Sequence, residues 1–229
     1  MEQLHAILAG PGLVFSLIVF VLGMVWRLVR YFLGLDWRLD RLAYKPAMGT
    51  GLKAGIHSII KWLIPFGTRG WRLHPFFTLC FFLFHTGLVL VPPFLAGHNE
   101  ILRMYLGFGL PSMPQTTSDI LTVAAVTAGG FIMLRRLLLP QVRILSTWRD
   151  YAVLLLALAP LATGLLNRLY GDSSELWLIC HIASAELLLL FAPFTRLSHM
   201  VLYFASRWQI GADYGIKRGG RTRGPYFPW

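Results

Sequence analysis

Charge is what this sequence has least of. Of its 229 residues only ten are acidic and 21 are Lys or Arg, so charged side chains make up 14% of the chain. A soluble domain of this length needs a larger charged surface. Cysteine is nearly absent too. Cys80 and Cys180 both fall in apolar runs, and two separated thiols make neither a disulfide framework nor a metal motif. Both read as small buried side chains. The first apolar run lacks a preceding basic region and a following small-residue cleavage site, so it is expected to stay as a helix, not to leave as a signal peptide. With no internal repeat and no low-complexity segment, the chain reads as one domain over 1–229.

Long apolar runs fill the space that charge vacates. Hydrophobic residues reach 56%, and a bilayer core takes about 20 of them per helix. Five segments fit: 5–26, 75–97 with Pro92-Pro93 near its end, 119–139, 151–169 with Pro160 in its middle, and 176–204 with Pro193 inside. Prolines are tolerated in such helices because neighbours re-satisfy the freed carbonyls. The expected fold is an all-α bundle of five transmembrane helices. Between the first two spans, residues 50–64 place Leu52, Ile56, Ile59, Ile60 and Leu63 at helical spacing near Lys53 and Lys61. That segment is too short and too charged to span, and predicts an interfacial amphipathic helix.

The basic residues mark orientation. Arg27, Arg30, Arg38, Arg41, Lys45, Lys53, Lys61, Arg69 and Arg72 lie between spans one and two. Arg135, Arg136, Arg143 and Arg149 lie between three and four, and Arg207, Lys217, Arg218, Arg221 and Arg223 follow span five. The other side has only Arg103 and Arg168, beside Glu2, Glu100, Asp172 and Glu175. The positive-inside rule then puts the N-terminus outside and the C-terminus in the cytoplasm. A net charge of +11 distributed in this way is a topology signal and argues against nucleic acid as a partner.

Polar side chains at membrane depth are costly, so each is a functional candidate. His85, His181 and His199 lie in or near spans, His74 and His98 bracket the second, and His5 and His57 read as solvated. His181 and His199 are 18 residues apart. On one continuous helix that is a whole number of turns, so both rings share a face, roughly 27 Å apart along the axis. Two neutral imidazoles fill both axial positions of a haem iron and leave it to carry single electrons. His85 and His98 are 13 residues apart, nearly opposite on an ideal helix unless Pro92-Pro93 turns the later part; His74 lies almost on the face of His85. Both remain candidates for the fourth ligand. Arg196, three residues before His199, is placed to meet a haem propionate or lipid phosphate. Glu186, the only acid well inside a span, either relays protons or hydrogen-bonds within the bundle.

The run HIASAELLLLFAPFTRLSH, from His181 to His199, together with Phe84-His85 and Gly97-His98, resembles the gamma-subunit family of respiratory nitrate reductase. Trp37–Asp40 and the segment from Trp62 to Pro75 are more similar to one branch, the cytochrome b subunits of the membrane redox complexes of sulfate-reducing bacteria (Hmc, Tmc and Dsr types). The resemblance implies two haem b groups, one held by His85 and His199 on the cytoplasmic side and one by His98 and His181 outside. It also implies a multi-pass subunit of the bacterial inner membrane. Electrons would pass between the menaquinone pool or a periplasmic multihaem cytochrome c and a cytoplasmic iron–sulfur subunit, with other membrane subunits alongside. The basic tail 216–229 would dock the iron–sulfur subunit or bind anionic lipid. A haem-free anchor or assembly subunit with the same fold is the alternative. A transporter is disfavoured by the lack of inverted repeats and paired broken helices.

Overall fold

The computed structural model describes residues 2–35, 48–171 and 175–218, without the side chains of Lys217 and Arg218. The Trp37–Asp40 segment, Arg41, Lys45, Asp172, Arg221 and Arg223 lie outside the described residues. Among the described residues every regular element is a helix. These are α1 (Glu2–Leu33), α2 (Met48–Leu63), α3 (Pro75–Phe94), α4 (Ala96–Leu106), α5 (Gln115–Leu138), α6 (Trp148–Tyr170), α7 (Leu176–Phe191) and α8 (His199–Arg218), with short single turns between some of them. Five helices are long and apolar enough to cross a bilayer: α1, α3, α5, α6 and α7 with its extension to Phe194. This is a multi-pass helical membrane fold.

The chain divides into two compact units, residues 1–19 with 76–191 and residues 20–75 with 192–229. In the first unit α6 packs on α7 and on α5. The start of α6 is fixed locally: the Asp150 carboxylate accepts from both the backbone N–H and the hydroxyl of Thr147, each at 2.8 Å, closing a capping arrangement at an otherwise open helix end. Within the bilayer, where apolar contact alone gives little drive for association, a polar link such as Thr163 Oγ to Ser184 Oγ at 3.1 Å ties α6 to α7. In α1, Pro11 sits in a π turn, Leu8–Gly12, because proline removes a donor from the regular ladder.

In the second unit α2 and α8 pair along small residues. A Cβ on Gly51 would come within 2.4 Å of the Ile216 side chain, and one on Gly211 within 2.5 Å of the Ala54 carbonyl oxygen. The buried face of α2 is Gly51, Ala54, Gly55 and Ser58. Leu52, Ile56, Ile60 and Leu63 point outward, each about half exposed. The helix expected at 50–64 is present as Met48–Leu63, but its exposed large apolar residues are not the ones that pack against α8. Close backbone approach, allowed by glycine, selects the other face.

The fifth span differs from its expectation. A single helix from 176 to 204 is not formed: α7 ends at Phe191, 3₁₀ turns cover Ala192–Phe194 and Arg196–Ser198, and His199 opens α8, which continues to Arg218. Thr195 between the turns is extended (φ −115°, ψ −174°) and its side chain accepts from the Leu197 N–H. Pro193 is fully buried, and the bare Cα of Gly23 faces it, with an added Cβ only 2.6 Å from the Pro193 ring. The missing proline donor and the threonine cap end one helix and begin the next. His181 and His199 thus lie on two helices, and a spacing counted along one continuous helix no longer applies to them. The second span likewise stops at Phe94, and His98 belongs to α4.

Candidate functional site

α3 ends because Leu95 is extended (φ −77°, ψ 133°) ahead of α4. The last carbonyls of a helix have no partner in their own ladder, and the Pro92 carbonyl finds one outside it. The Nδ1–H of His98 donates to Pro92 O at 2.8 Å. On α7 the Nδ1–H of His181 donates to Pro160 O of α6 at 2.9 Å. The two imidazoles, both half-buried, lie parallel with 6° between their planes and centroids 5.8 Å apart. Gly164 makes room for one of them: a Cβ there would stand 3.0 Å from both Cε1 and Nδ1 of His181.

Asn99 holds the loop beyond this pair. It is fully buried, donates to Leu95 O at 3.3 Å and Ser112 Oγ at 3.2 Å, and accepts from the Leu110 N–H at 2.8 Å. Gly107 closes α4 in the left-handed region at φ 73°, which glycine adopts at no steric cost, and the chain returns to place Leu110 and Ser112 on Asn99.

The remaining candidates stand as follows. His85, half-buried on α3, donates from Nδ1 to Phe81 O at 2.8 Å and packs against the Phe81 ring at 4.1 Å. His199, exposed at the start of α8, donates from Nδ1 to Arg196 O at 2.9 Å. All four expected ligands therefore engage Nδ1 with a backbone carbonyl, which fixes the tautomer that carries its lone pair on Nε2. Arg196 and His74 are exposed. His74 follows the short turn Arg69–Leu73 in the second unit. His5 and His57 are half-buried; burial first and the Lys61 charge second lower the pKa of His57. Glu186 is buried and its Oε1 has no hydrogen-bond partner. Cys80 is buried and Cys180 half-buried, and both are free thiols.

Among the described residues no cluster of three or more His, Cys, Asp or Glu has metal-binding geometry. Among the described residues His98 and His181 are the candidate ligands whose rings come together. Sequence reasoning passed over Gly164, Asn99 and Gly12, which faces Glu186. The two glycines have no polar or periodic signature, Asn99 falls in an interspan connection where a polar residue is unremarkable, and the Gly164 contact joins α6 to a ring on α7 that only the fold brings near.

A multi-pass helical membrane protein with two aligned, carbonyl-tethered imidazoles is the class these features define. No family model matches the chain. A protein of Nitratidesulfovibrio vulgaris strain Hildenborough is 54% identical over 226 residues, covering 99% of this chain and all of that one. The chain belongs to the same family as that protein.

Proposed function

We propose that the chain is a dihaem b-type cytochrome subunit of a respiratory complex in the bacterial inner membrane. The observation that carries this reading is the His98–His181 pair. Two imidazoles in line on one metal, with bonds of about 2 Å each, have centroids about 6 Å apart. Their 5.8 Å separation matches that spacing, and each Nδ1 is already tied to a carbonyl, as metal-binding histidines usually are. His98 and His181 would hold one haem b. His85 and His199 are the residues for the second, and their pairing rests on the sequence resemblance. Bound in this way, the haems supply one-electron transfer. The chain's own residues orient and exclude. Pro92 and Pro160 aim the rings through their carbonyls, Gly164 keeps the space beside His181 clear, and Asn99 fastens the covering loop. Held by two imidazoles each, the haems would carry electrons and not bind substrate at iron.

The distribution of arginine and lysine supports an outside N-terminus, a cytoplasmic C-terminus and a basic inner face. On that reading His98 and His181 lie toward the outer leaflet, where menaquinol or a periplasmic multihaem cytochrome c would exchange electrons. A cytoplasmic iron–sulfur subunit would meet the inner face, near Arg196. The outward apolar side of α2 supports an interfacial position for that helix.

Reduced-minus-oxidised spectra of the purified chain, with haem quantified as its pyridine complex, test the proposal. The expected result is two haem b per chain. His98→Ala and His181→Ala should each retain one, and His74→Ala both. A wild-type chain without a b-type absorbance band would sink the reading. If the His98 variant keeps both haems and the His74 variant loses one, the ligand assignment is wrong.

A further inference from the structure

Glu186 lies deep in α7 and is only 8% exposed. Its Oε1 is enclosed and has no hydrogen-bond partner. The carboxyl rests against the π turn of α1, where a Cβ on Gly12 would stand 2.9 Å from Oε1, 3.3 Å from Oε2 and 3.1 Å from the Ile7 carbonyl oxygen. Pro11 removes the N–H that an α-helix would aim at that Ile7 oxygen. A carboxyl oxygen and a backbone oxygen thus border the same small space, left open by a glycine. An ionised carboxylate only accepts hydrogen bonds, whereas a protonated one also donates. A proton taken up there gives the carboxyl a donor that its ionised form lacks.

The same seam has a titratable mouth. Glu175, Leu178, Ile182 and Glu186 fall at i, i+3, i+7 and i+11, one face of a helix, and Glu186 lies about 16 Å along the axis from Glu175. A cavity of about 150 Å³ at the ends of α1 and α7 is lined by Glu2, His5, Glu175 and Leu178. Between mouth and carboxyl, α1 carries no titratable group from Ala6 to Trp26 and α6 none from Ala152 to Asn167. On α7 only Cys180 and His181 lie between Glu175 and Glu186. α4 contributes Tyr105, whose hydroxyl donates to Ala9 O at 3.1 Å, and the exposed Glu100–Arg103 pair; the Asp119–Arg168 pair joins α5 to the far end of α6. Glu186 lies five residues past His181, about 7.5 Å along the helix axis. An electron added at the histidine pair is poorly screened there, and a proton on Glu186 would offset it.

We propose that Glu186 is a redox-linked proton acceptor: its carboxylate takes up one proton when the centre held by His98 and His181 gains an electron, and releases it when the electron leaves. This rests on the haem reading above. The electron comes from a one-electron donor (dithionite in the test), iron(III) becomes iron(II), and the proton forms an O–H bond at Glu186.

Infrared difference spectra of the full-length, haem-loaded chain, reduced minus oxidised, are expected to show a carboxylic C=O band that shifts in D₂O and is missing from Glu186→Gln. The midpoint potential of the haem lost in His181→Ala should fall with rising pH in the wild type and lose most of that slope in Glu186→Gln. If Glu186→Gln fails to retain haem, Glu186→Asp decides, by keeping a displaced band and the slope. An unchanged band and slope in Glu186→Gln, or a haem-loaded wild type without the band, overturns this proposal alone. A wild-type chain that binds no haem overturns the proposed function and this proposal with it.

Discussion

At the scale of the residue, the histidine pair and the loop beyond it depend on neighbours that are not themselves candidate ligands. Gly164 is one. Any side chain there meets the His181 ring at 3.0 Å, so Gly164→Val should displace the imidazole and remove one haem per chain, with Gly164→Ala intermediate. The pyridine-complex assay reads this directly, and an unchanged haem content would show that the ring has room to move. Asn99 is another. Its side chain joins three partners while fully buried, so Asn99→Ala leaves buried groups unmatched and should cost about 1–3 kcal/mol, seen as a lower melting temperature in detergent. The sequence singled out the imidazoles because a ring nitrogen at membrane depth is conspicuous. It was silent on Gly164 and Asn99 because their roles are spatial, set by which helix passes close to which.

At the scale of the element, helix existence was legible and helix ends were not. The five spans follow from bilayer-length apolar runs, and the observed helices contain or closely match them. The fifth is the exception. Proline inside a membrane helix often does no more than kink it, and the residues that turn Pro193 into a stop, Gly23 and Thr195, include one about 170 positions away in sequence. The sequence reading also ended that helix at Phe204, where hydropathy falls, whereas α8 runs on to Arg218. What sustains it is contact with α2, through the matching four-residue spacings Gly51/Gly55 and Gly211/Gly215. Gly211→Leu should force the pair apart and destabilise it by about 1–3 kcal/mol, the usual range for overpacking. Loss of the α2–α8 contact should show as faster proteolysis after the lysines of α2. His57 on α2 adds a pH dependence. Its pKa is lowered in the fold from an ordinary value of about 6.5, so the folded state favours the neutral ring. Its contribution is fully present above that ordinary value and is lost as pH falls through the lower folded one. Melting temperature should drop on that acid limb in the wild type and less so in His57→Gln.

At the scale of the whole molecule, the proposed orientation makes a binary prediction. A fluorescent protein fused at the C-terminus should mature, and a periplasm-dependent phosphatase should be active when fused at the N-terminus; the reverse outcome would invert the assignment of inner and outer histidines. The tethering of His98 and His181 through Nδ1 has a further consequence, for assembly. A ring whose tautomer is chosen and whose rotation is stopped by a backbone carbonyl has already lost, on folding, the freedom that a binding partner would otherwise have to remove. The empty chain is then a receptor in waiting. Haem added to apoprotein in detergent should be captured at a rate proportional to haem concentration, with no plateau from a slow rearrangement, and the order of events in the cell would be chain first, cofactor second.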